Sequence, residues 1–445
     1  MFALTSRRFR RTPRALALSI APFFALQGAC SQPATSPDGS AAMDVVASDV
    51  VASDAVADSN VRELEGGLAP VTLDRAIDLD PCPDESCTGG RDAQIHGAAA
   101  FDGLGVWVVY SATRNASRLF DVLATRIGLD GQVLVPPVVL NTSAGNSIDP
   151  DLAIDESGNV LVAWTTDDGN GGDSNLQIHY RTMSREGSIG GRSDSTLRSR
   201  AMGMPLTRNH AVQSVAAGPS GFVIAGIRAI PEAMSFQAFA QQLPANGDPT
   251  EDAVSALEAT TSQGPSSATV ASMNRLRFAF ERGDTNPNVL IAGTGLVTPA
   301  NAAPMGASPF IAADSQATLL AFTEGGYVRV SNVSEPTRVN VLGRIGTTGT
   351  NHAPRLAMDR AGGAGLVFFR LISGSRNQVW AARIRPPGAV TAVTSTRMLL
   401  GAPGAPAYAP GITHIAGDIF FVLWSEGSNS PHFRLRGRFI ELSSR

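Results

Sequence analysis

The sequence contains no lysine, so all 35 of its basic residues are arginines. Charged residues make up only 17% of the chain, and the formal net charge is −4. Five of the arginines precede Cys30, where there are no acidic residues, so the chain from that point onward would carry −9. Nucleic-acid binding requires a basic face. The charge balance therefore argues against a nucleic acid as the partner.

The sequence also lacks the short motifs of common catalytic sites. It contains no G-x-S-x-G, no H-E-x-x-H, no P-loop and no dinucleotide-binding fingerprint. Helical periodicity is missing between its apolar segments, whereas 45 glycines and 28 prolines favour a turn-dense, all-β chain. With 445 residues, the chain exceeds one ordinary core and implies several domains or a repeat.

Residues 1–29 have the pattern of an export signal. Arginines at positions 7 to 14 precede an apolar stretch, residues 15–26, that is too short to span a bilayer. The following Leu-Gln-Gly-Ala-Cys, residues 26–30, resembles a bacterial lipobox, with Gln27 at the position where an aliphatic residue is usual. The resemblance implies that Cys30 is lipidated and becomes the first residue of the mature protein. Simple secretion is the alternative.

The chain has only three cysteines, and Cys82 and Cys87 remain as a pair if Cys30 is lipidated. In an exported protein this pair predicts a local disulfide. The preceding residues 30–65 are rich in small and acidic side chains, including a repeated Val-Val-Ala-Ser-Asp. Such a composition cannot bury enough apolar surface to offset the entropy of ordering, so we expect a disordered tether.

A hairpin pattern recurs seven times along the rest of the chain. Each copy has a strand of small residues, a turn and a strongly apolar strand. The copies are AAAFDGLGVWVVY (98–110), DLAIDESGNVLVAW (151–164), SVAAGPSGFVIAG (214–226), ATVASMNRLRFAF (268–280), PFIAADSQATLLAF (309–322), RLAMDRAGGAGLVFF (355–369) and GITHIAGDIFFVLW (411–424). An alternating third strand follows each copy, and most repeats end in a fourth segment such as VPPVVLNTS (135–143).

Four strands per repeat and seven repeats predict an all-β fold, a seven-bladed β-propeller of antiparallel blades over residues 66–445. Six or eight blades remain alternatives because the third to fifth copies are degenerate. The second strands would be apolar on both faces because each blade packs against two neighbours. The expected blade boundaries are 94–146, 147–207, 208–262, 263–306, 307–349, 350–404 and 405–445.

The last repeat stops after its third strand, while a spare strand pattern, residues 68–79, precedes the first. We expect this segment to complete blade seven and close the ring; a merely docked N-terminal strand is the alternative. The repeats resemble the repeat-type propeller domains of exported bacterial lipoproteins. That resemblance implies the fold and no particular activity.

Polar residues recur just before the first strands and predict a ring at one mouth of the propeller. They are His96, Asp149, His210 and His352. Imidazoles and a carboxylate suit a transition metal or acid–base chemistry. Ordinary solvated loops are the alternative.

Acidic residues cluster at the loops between second and third strands, which should open on the same mouth. Glu281, Glu324 and Glu426, together with His352, are the candidate catalytic residues, since two suitably spaced carboxylates suffice for glycoside hydrolysis. Asp167, Asp168 and Asp173 lie in a loop that faintly resembles a calcium loop. We expect no cofactor, with calcium or a transition metal as the alternative.

Asp102, Asp155 and Asp359 lie in the turns between first and second strands, where we expect their side chains to accept backbone hydrogen bonds. The turn at Asp155 and Gly158 resembles the S-x-D-x-G-x-x-W motif of sialidase-like propellers in place but not in spacing. We find no set of residues that would complete a sialidase site.

These patterns favour a monomeric, lipid-anchored propeller that binds a protein or glycan at its loop face without catalysis. It would be attached to the membrane by the anchor alone, at the outer membrane or cell surface, or otherwise periplasmic or secreted. A carbohydrate-active hydrolase or lyase with its site at the polar mouth is the alternative.

Overall fold

All regular structure in the described residues is β-strand, as expected from the composition. The structure is a computed structural model that describes residues 60–62, 64, 68–79, 94–114, 119–142, 145–167, 176–190, 195–197, 210–218, 221–230, 235–244, 260–261, 266–271, 275–282, 288–293, 300–304, 306–335, 340–345, 350–372, 376–385, 398–399, 407–427 and 434–442. Within these ranges there is no helix long and apolar enough to cross a membrane.

The strands pair into seven four-stranded antiparallel sheets, which we number as blades 1 to 7 in chain order. Blade 1 consists of β4 (Gln94–Phe101), β5 (Gly105–Arg114), β6 (Leu119–Gly128) and β7 (Val133–Val139). Blade 2 consists of β8 (Ser147–Ile154), β9 (Val160–Thr166), β10 (Gln177–Met183) and β11 (Ser195–Thr196). Blade 3 consists of β12 (His210–Gly218), β13 (Gly221–Ile230), β14 (Ser235–Leu243) and β15 (Thr260–Thr261). Blades 4 and 5 consist of β16 (Ser266–Ala271), β17 (Arg275–Arg282), β18 (Asn288–Gly293) and β19 (Ala300–Pro304); β20 (Ala307–Ala313), β21 (Thr318–Glu324), β22 (Tyr327–Asn332) and β23 (Asn340–Ile345).

Blades 6 and 7 include the two ends of the ring. Blade 6 consists of β24 (Thr350–Met358), β25 (Ala364–Ile372), β26 (Arg376–Ile384) and β27 (Met398–Leu399). Blade 7 consists of β28 (Ala407–Ala416), β29 (Ile419–Glu426), β30 (Arg434–Glu441) and β3 (Ile77–Asp78). The first strand of each blade packs against the first strand of the next, and β28 packs against β4. The first strands therefore surround a common centre, and the fold is a β-propeller.

Apolar side chains fill the space between neighbouring blades in seven separate clusters, one for each seam. Strand β5 shows why its sequence is apolar throughout: Val106 and Val108 face blade 7, whereas Trp107 and Val109 face blade 2. A strand with two buried faces has no polar side. This confirms the interpretation of the apolar runs.

An N-terminal segment lies at the seam between blades 7 and 1. Strand β1 (Asn60–Arg62) pairs with β2 (Val71–Leu73), and the Thr72 N–H donates to the Leu129 carbonyl at 3.0 Å. Strand β3, near the end of the expected segment 68–79, then pairs antiparallel with β30 and supplies the fourth strand of blade 7. The buried side chains of Val71 and Leu79 join the apolar cluster of this seam.

In blades 1 to 6 the first-to-second and third-to-fourth connections lie at one end of the blade, which we call the turn face of the ring. Blade 7 has only the first-to-second turn there, because its fourth strand, β3, comes from the N-terminal segment. The opposite end, where first strands begin and second strands finish, is called the entry face. Turn aspartates Asp102, Asp155 and Asp359 accept backbone N–H bonds at 2.8 to 2.9 Å, which confirms their expected role. Asp314 does the same in blade 5, at 2.7 Å.

Candidate functional site

The first strands of four blades shift register at the same kind of tripeptide, a residue followed by proline and a third residue; in β28 of blade 7 the tripeptide ends in Gly411 and supplies no side chain. In β8, β20 and β24 the residue before proline has a positive φ: 52° at Asp149, 51° at Ser308 and 45° at Ala353. The pairing with the second strand shifts register at each of these places, which marks a β-bulge. Residues other than glycine rarely adopt a positive φ, because their Cβ atom makes it strained. Such backbone strain concentrates at functional sites.

The residue after each proline lies at an equivalent position near the centre of the ring. These residues are Asp151, Phe310 and Arg355. All three retain a partly accessible surface. They come from blades 2, 5 and 6, so the bulges bring together an acid, an aromatic ring and a base that are far apart in sequence.

The Asp151 carboxylate is held by backbone amides from two blades. Its Oδ2 accepts the Val215 N–H of blade 3 at 2.7 Å, and its Oδ1 accepts the Leu152 N–H at 2.9 Å. Burial is nevertheless the largest influence on this group and raises its pKa from 3.8 to about 6. The amide hydrogen bonds and the positive charge of Arg355 oppose that rise. Asp151 therefore changes charge within a mildly acidic range.

Arg355 lies against the aromatic ring of Phe310, with its Cζ 4.9 Å from the ring centroid. Burial lowers the pKa of its guanidinium below the ordinary value for arginine, while the charges of Asp151 and Asp149 raise it. A guanidinium remains protonated under such conditions. The stack on Phe310 fixes the plane of the guanidinium and leaves its donors in that plane.

The electrostatic interaction between Arg355 and Asp151 crosses the ring. Blades 6 and 2 are separated by blades 7 and 1, so their first strands do not pack against each other. The two side chains can influence each other only through the centre. Asp149, two residues before Asp151, adds a second carboxylate to the same side. The centre of the entry face thus presents acceptors on one wall and a cation with an aromatic ring on the other.

The structure places the four predicted ring residues on first strands, and only one of their side chains is described. Asp149 lies in β8 at the bulge. His96, His210 and His352 belong to β4, β12 and β24, and their side chains lie outside the described residues. The side chains that the structure does describe include no group of three or more histidine, cysteine, aspartate or glutamate residues suited to a metal ion.

The three candidate catalytic glutamates lie at the ends of second strands, on the entry face, and each has a structural contact. Glu281 Oε2 accepts the Ser308 N–H at 2.9 Å and so supports the bulge of blade 5. Glu324 forms an ion pair with Arg329 in its own hairpin. Glu426 Oε2 lies 3.8 Å from Arg436 Nε. Each glutamate thus has a partner of its own, and a catalytic pair formed by two of them stays a prediction.

Of the candidate calcium ligands, only Asp167 is described, and it caps the neighbouring loop. Its carboxylate accepts the Asn146 backbone N–H at 3.2 Å and the Asn146 side-chain amide at 3.3 Å. Asp168 and Asp173 lie outside the described residues, as do the predicted lipidation site Cys30 and the predicted disulfide partners Cys82 and Cys87.

Sequence analysis missed Asp151, Phe310 and Arg355 as a group. A usable signal was present, because Asp149-Pro150-Asp151, Ser308-Pro309-Phe310 and Ala353-Pro354-Arg355 share one pattern. Aligning the repeats on the proline would have placed the three residues at one level of the ring. An alignment on the small residues of each first strand instead places the polar residues that precede those strands at the mouth of the propeller.

Comparison with known proteins leaves the activity open. No family model matches the chain, and no curated protein matches it. A crystal structure of a protein of unknown function from Dyadobacter fermentans DSM 18053 is 9% identical, with a TM-score of 0.49, covering 83% of this chain and 99% of the other. An α-L-arabinanase from Penicillium chrysogenum, complexed with arabinobiose, is 11% identical with a TM-score of 0.47 and the same coverage.

The β-propeller domain of the trilobed protease from Pyrococcus furiosus is 9% identical, with a TM-score of 0.44, covering 79% of this chain and 96% of the other. The similar structures thus include an arabinanase and a protease domain. They do not single out one activity for this chain.

Proposed function

We propose that this protein is an exported, lipid-anchored propeller that binds a glycan at the centre of its entry face without catalysing a reaction. The observation that carries the proposal is that equivalent bulges in three blades place Asp151, Phe310 and Arg355 at one level of the ring, with the Arg355 Cζ 4.9 Å from the Phe310 ring centroid. The sequence pattern at Cys30 supports the anchor and a location at the outer membrane or cell surface.

A glycan suits this site better than a protein surface does. Carboxylates accept hydrogen bonds from sugar hydroxyls, a guanidinium donates to ring and hydroxyl oxygens, and an aromatic ring packs on the apolar face of a sugar. Asp151, Asp149, Arg355 and Phe310 supply all three kinds of contact. They lie on first strands, which surround the ring centre, and a narrow sugar chain suits such a place better than a flat protein surface does.

The test is to measure binding of neutral and acidic oligosaccharides to the full chain by isothermal titration calorimetry. Arg355→Met removes the charge while retaining an apolar stem over Phe310. We expect affinity to fall about tenfold to a hundredfold, as for loss of a charged hydrogen bond. Arg344→Met is the matched control, because Arg344 also stacks on an aromatic ring, Tyr327, at 4.0 Å on the surface of blade 5.

Two results would contradict the proposal. Equal loss of affinity in both variants would show that the site is not at the ring centre. If the wild-type chain binds none of the oligosaccharides, glycans of the tested types are excluded as ligands, and a protein becomes the favoured partner.

The raised pKa of Asp151, about 6, favours a second candidate function, glycoside hydrolysis. A carboxyl group that keeps its proton in mildly acidic solution can act as a general acid. In that case Asp151→Asn would retain oligosaccharide binding but abolish the release of reducing sugar. Under the binding proposal, the wild-type chain itself releases no reducing sugar, and Asp151→Asn changes only affinity.

A further inference from the structure

Large apolar side chains are exposed mainly on one blade. Within the described residues, four of the five exposed large hydrophobic residues belong to blade 1, and the fifth is Val341 in blade 5. Three of the four lie at the turn-face end of blade 1, with exposed fractions of 60% for Leu104, 39% for Val133 and 50% for Leu134. We call these three residues the blade-1 corner.

The corner residues are close to one another although they come from different turns. Leu104 belongs to the turn between β4 and β5, and Val133 and Leu134 begin β7. A Cβ on Gly105 would lie 3.2 Å from Leu134 Cδ1, so the Leu134 side chain covers the residue next to Leu104. The three corner residues therefore lie in one region of the surface, at neighbouring turns of the same blade.

The turn geometry does not require a leucine at position 104. The Leu104 N–H donates to Asp102 Oδ1 at 2.8 Å, and in blade 5 the Gln316 N–H donates to Asp314 Oδ1 at 2.7 Å. The two turns are equivalent, yet blade 5 has an exposed glutamine where blade 1 has an exposed leucine. Folding explains the shared aspartate but not the apolar side chain, which indicates a contact partner.

The path of the N-terminal segment shows which partner is near. Thr72 is hydrogen-bonded to Leu129, and a Cβ on Gly131 would lie 3.3 Å from Ile77 Cδ1, so this segment rests on the turn between β6 and β7. The same turn leads directly into Val133 and Leu134. The chain that connects the ring to the predicted anchor at Cys30 therefore reaches the propeller beside the blade-1 corner.

We infer that the blade-1 corner rests on the surface of the lipid bilayer that holds the N-terminus. This rests on the lipid anchor of the proposed function. Asn60, the first described residue after the predicted anchor, pairs with Leu73 beside the corner, so the corner lies where the chain from the anchor meets the propeller. A second apolar contact strengthens attachment by a lipid chain. With its turn-face corner on the bilayer, the propeller points its entry face, and the Asp151–Arg355 site, away from the membrane.

The experiment compares deuterium uptake of the lipidated full chain with and without vesicles of phosphatidylethanolamine and phosphatidylglycerol. We expect vesicles to slow exchange in peptides covering residues 102–105 and 129–135, but not in residues 341–345. The double variant Leu104→Gln, Leu134→Thr should lose this slowing and still sediment with the vesicles. Val341→Thr, which removes an exposed apolar side chain from blade 5, should retain it.

Sedimentation reports the anchor, and exchange reports the corner, so the two can fail separately. Sedimentation without slower exchange at the corner would overturn the inference and leave the anchor. Slower exchange that grows with protein concentration and needs no vesicles would also overturn it, in favour of a second copy of this chain. A chain that does not sediment with vesicles would overturn both.

Discussion

The carboxylate of Asp151 titrates differently in the folded and unfolded chain, because burial raises its folded pKa from 3.8 to about 6. Between these pH values the folded state holds a proton that the unfolded state has released, so the free energy of unfolding falls as pH rises. A difference of two pKa units corresponds to about 3 kcal/mol. The loss should be complete above about pH 6 and absent below about pH 4.

We therefore expect Asp151→Asn to flatten the pH dependence of stability between about pH 4 and pH 6. At pH 7 the variant should gain less stability than removal of the buried charge alone would give. The reason is that one amide oxygen cannot replace the two carboxylate oxygens that accept the Val215 and Leu152 N–H groups. Urea unfolding of the full chain at several pH values measures this. Asp130→Asn, in an exposed turn, controls for the loss of one negative charge. If the free energy of unfolding of Asp151→Asn depends on pH as steeply as that of the wild type, Asp151 is not the group whose raised pKa causes this dependence.

At the scale of the element, the segment from β2 to β3 joins the two ends of the ring. The Leu79 side chain is fully buried, and a Cβ on Gly437 would lie 3.2 Å from its Cδ2. The Leu79 N–H also donates to the Leu435 carbonyl at 3.4 Å. The segment is thus packed into the seam, beyond the two residue pairs that β3 makes with β30.

We expect Leu79→Ala to destabilise the propeller by about 2–5 kcal/mol, because it leaves a cavity at the closing seam. Chemical denaturation at neutral pH gives this value. Arg75→Ala, at an exposed position of the same segment, should change stability by less than about 0.5 kcal/mol. If both variants unfold at the same denaturant concentration, the segment does not contribute to closure.

At the scale of the whole molecule, seven apolar seams connect the blades, and each blade takes part in two of them. Among the described residues, each blade has apolar side chains packed against both neighbours, so loss of one blade would expose the faces of those two. A ring of this kind should unfold as one unit, unlike an open array of repeats whose ends can separate first.

The expected result is one transition for the full chain, with the same midpoint by two probes. Tryptophan fluorescence follows Trp107, Trp164, Trp380 and Trp424 in blades 1, 2, 6 and 7, whereas far-ultraviolet circular dichroism follows all blades. Leu79→Ala should shift both midpoints together. A fluorescence transition that precedes the circular dichroism transition would show that the closing side of the ring opens separately.

The sequence alone determined the β-propeller, because its signals are local. Turn aspartates, glycines and alternating or fully apolar strands recur in most of the repeats, so the information is present several times. Four-stranded antiparallel sheets follow from that pattern, and the role of Asp102, Asp155 and Asp359 could be predicted from a few neighbouring residues.

Only the tertiary structure decided which residues meet at the ring centre. Asp151, Phe310 and Arg355 occupy one level because the bulges in β8, β20 and β24 turn the chain alike and because the ring closes. The contact of Glu281 with the bulge of the next blade likewise became visible only in the folded ring. Local patterns specify strands and turns, whereas a site shared by non-adjacent blades depends on how every blade between them packs.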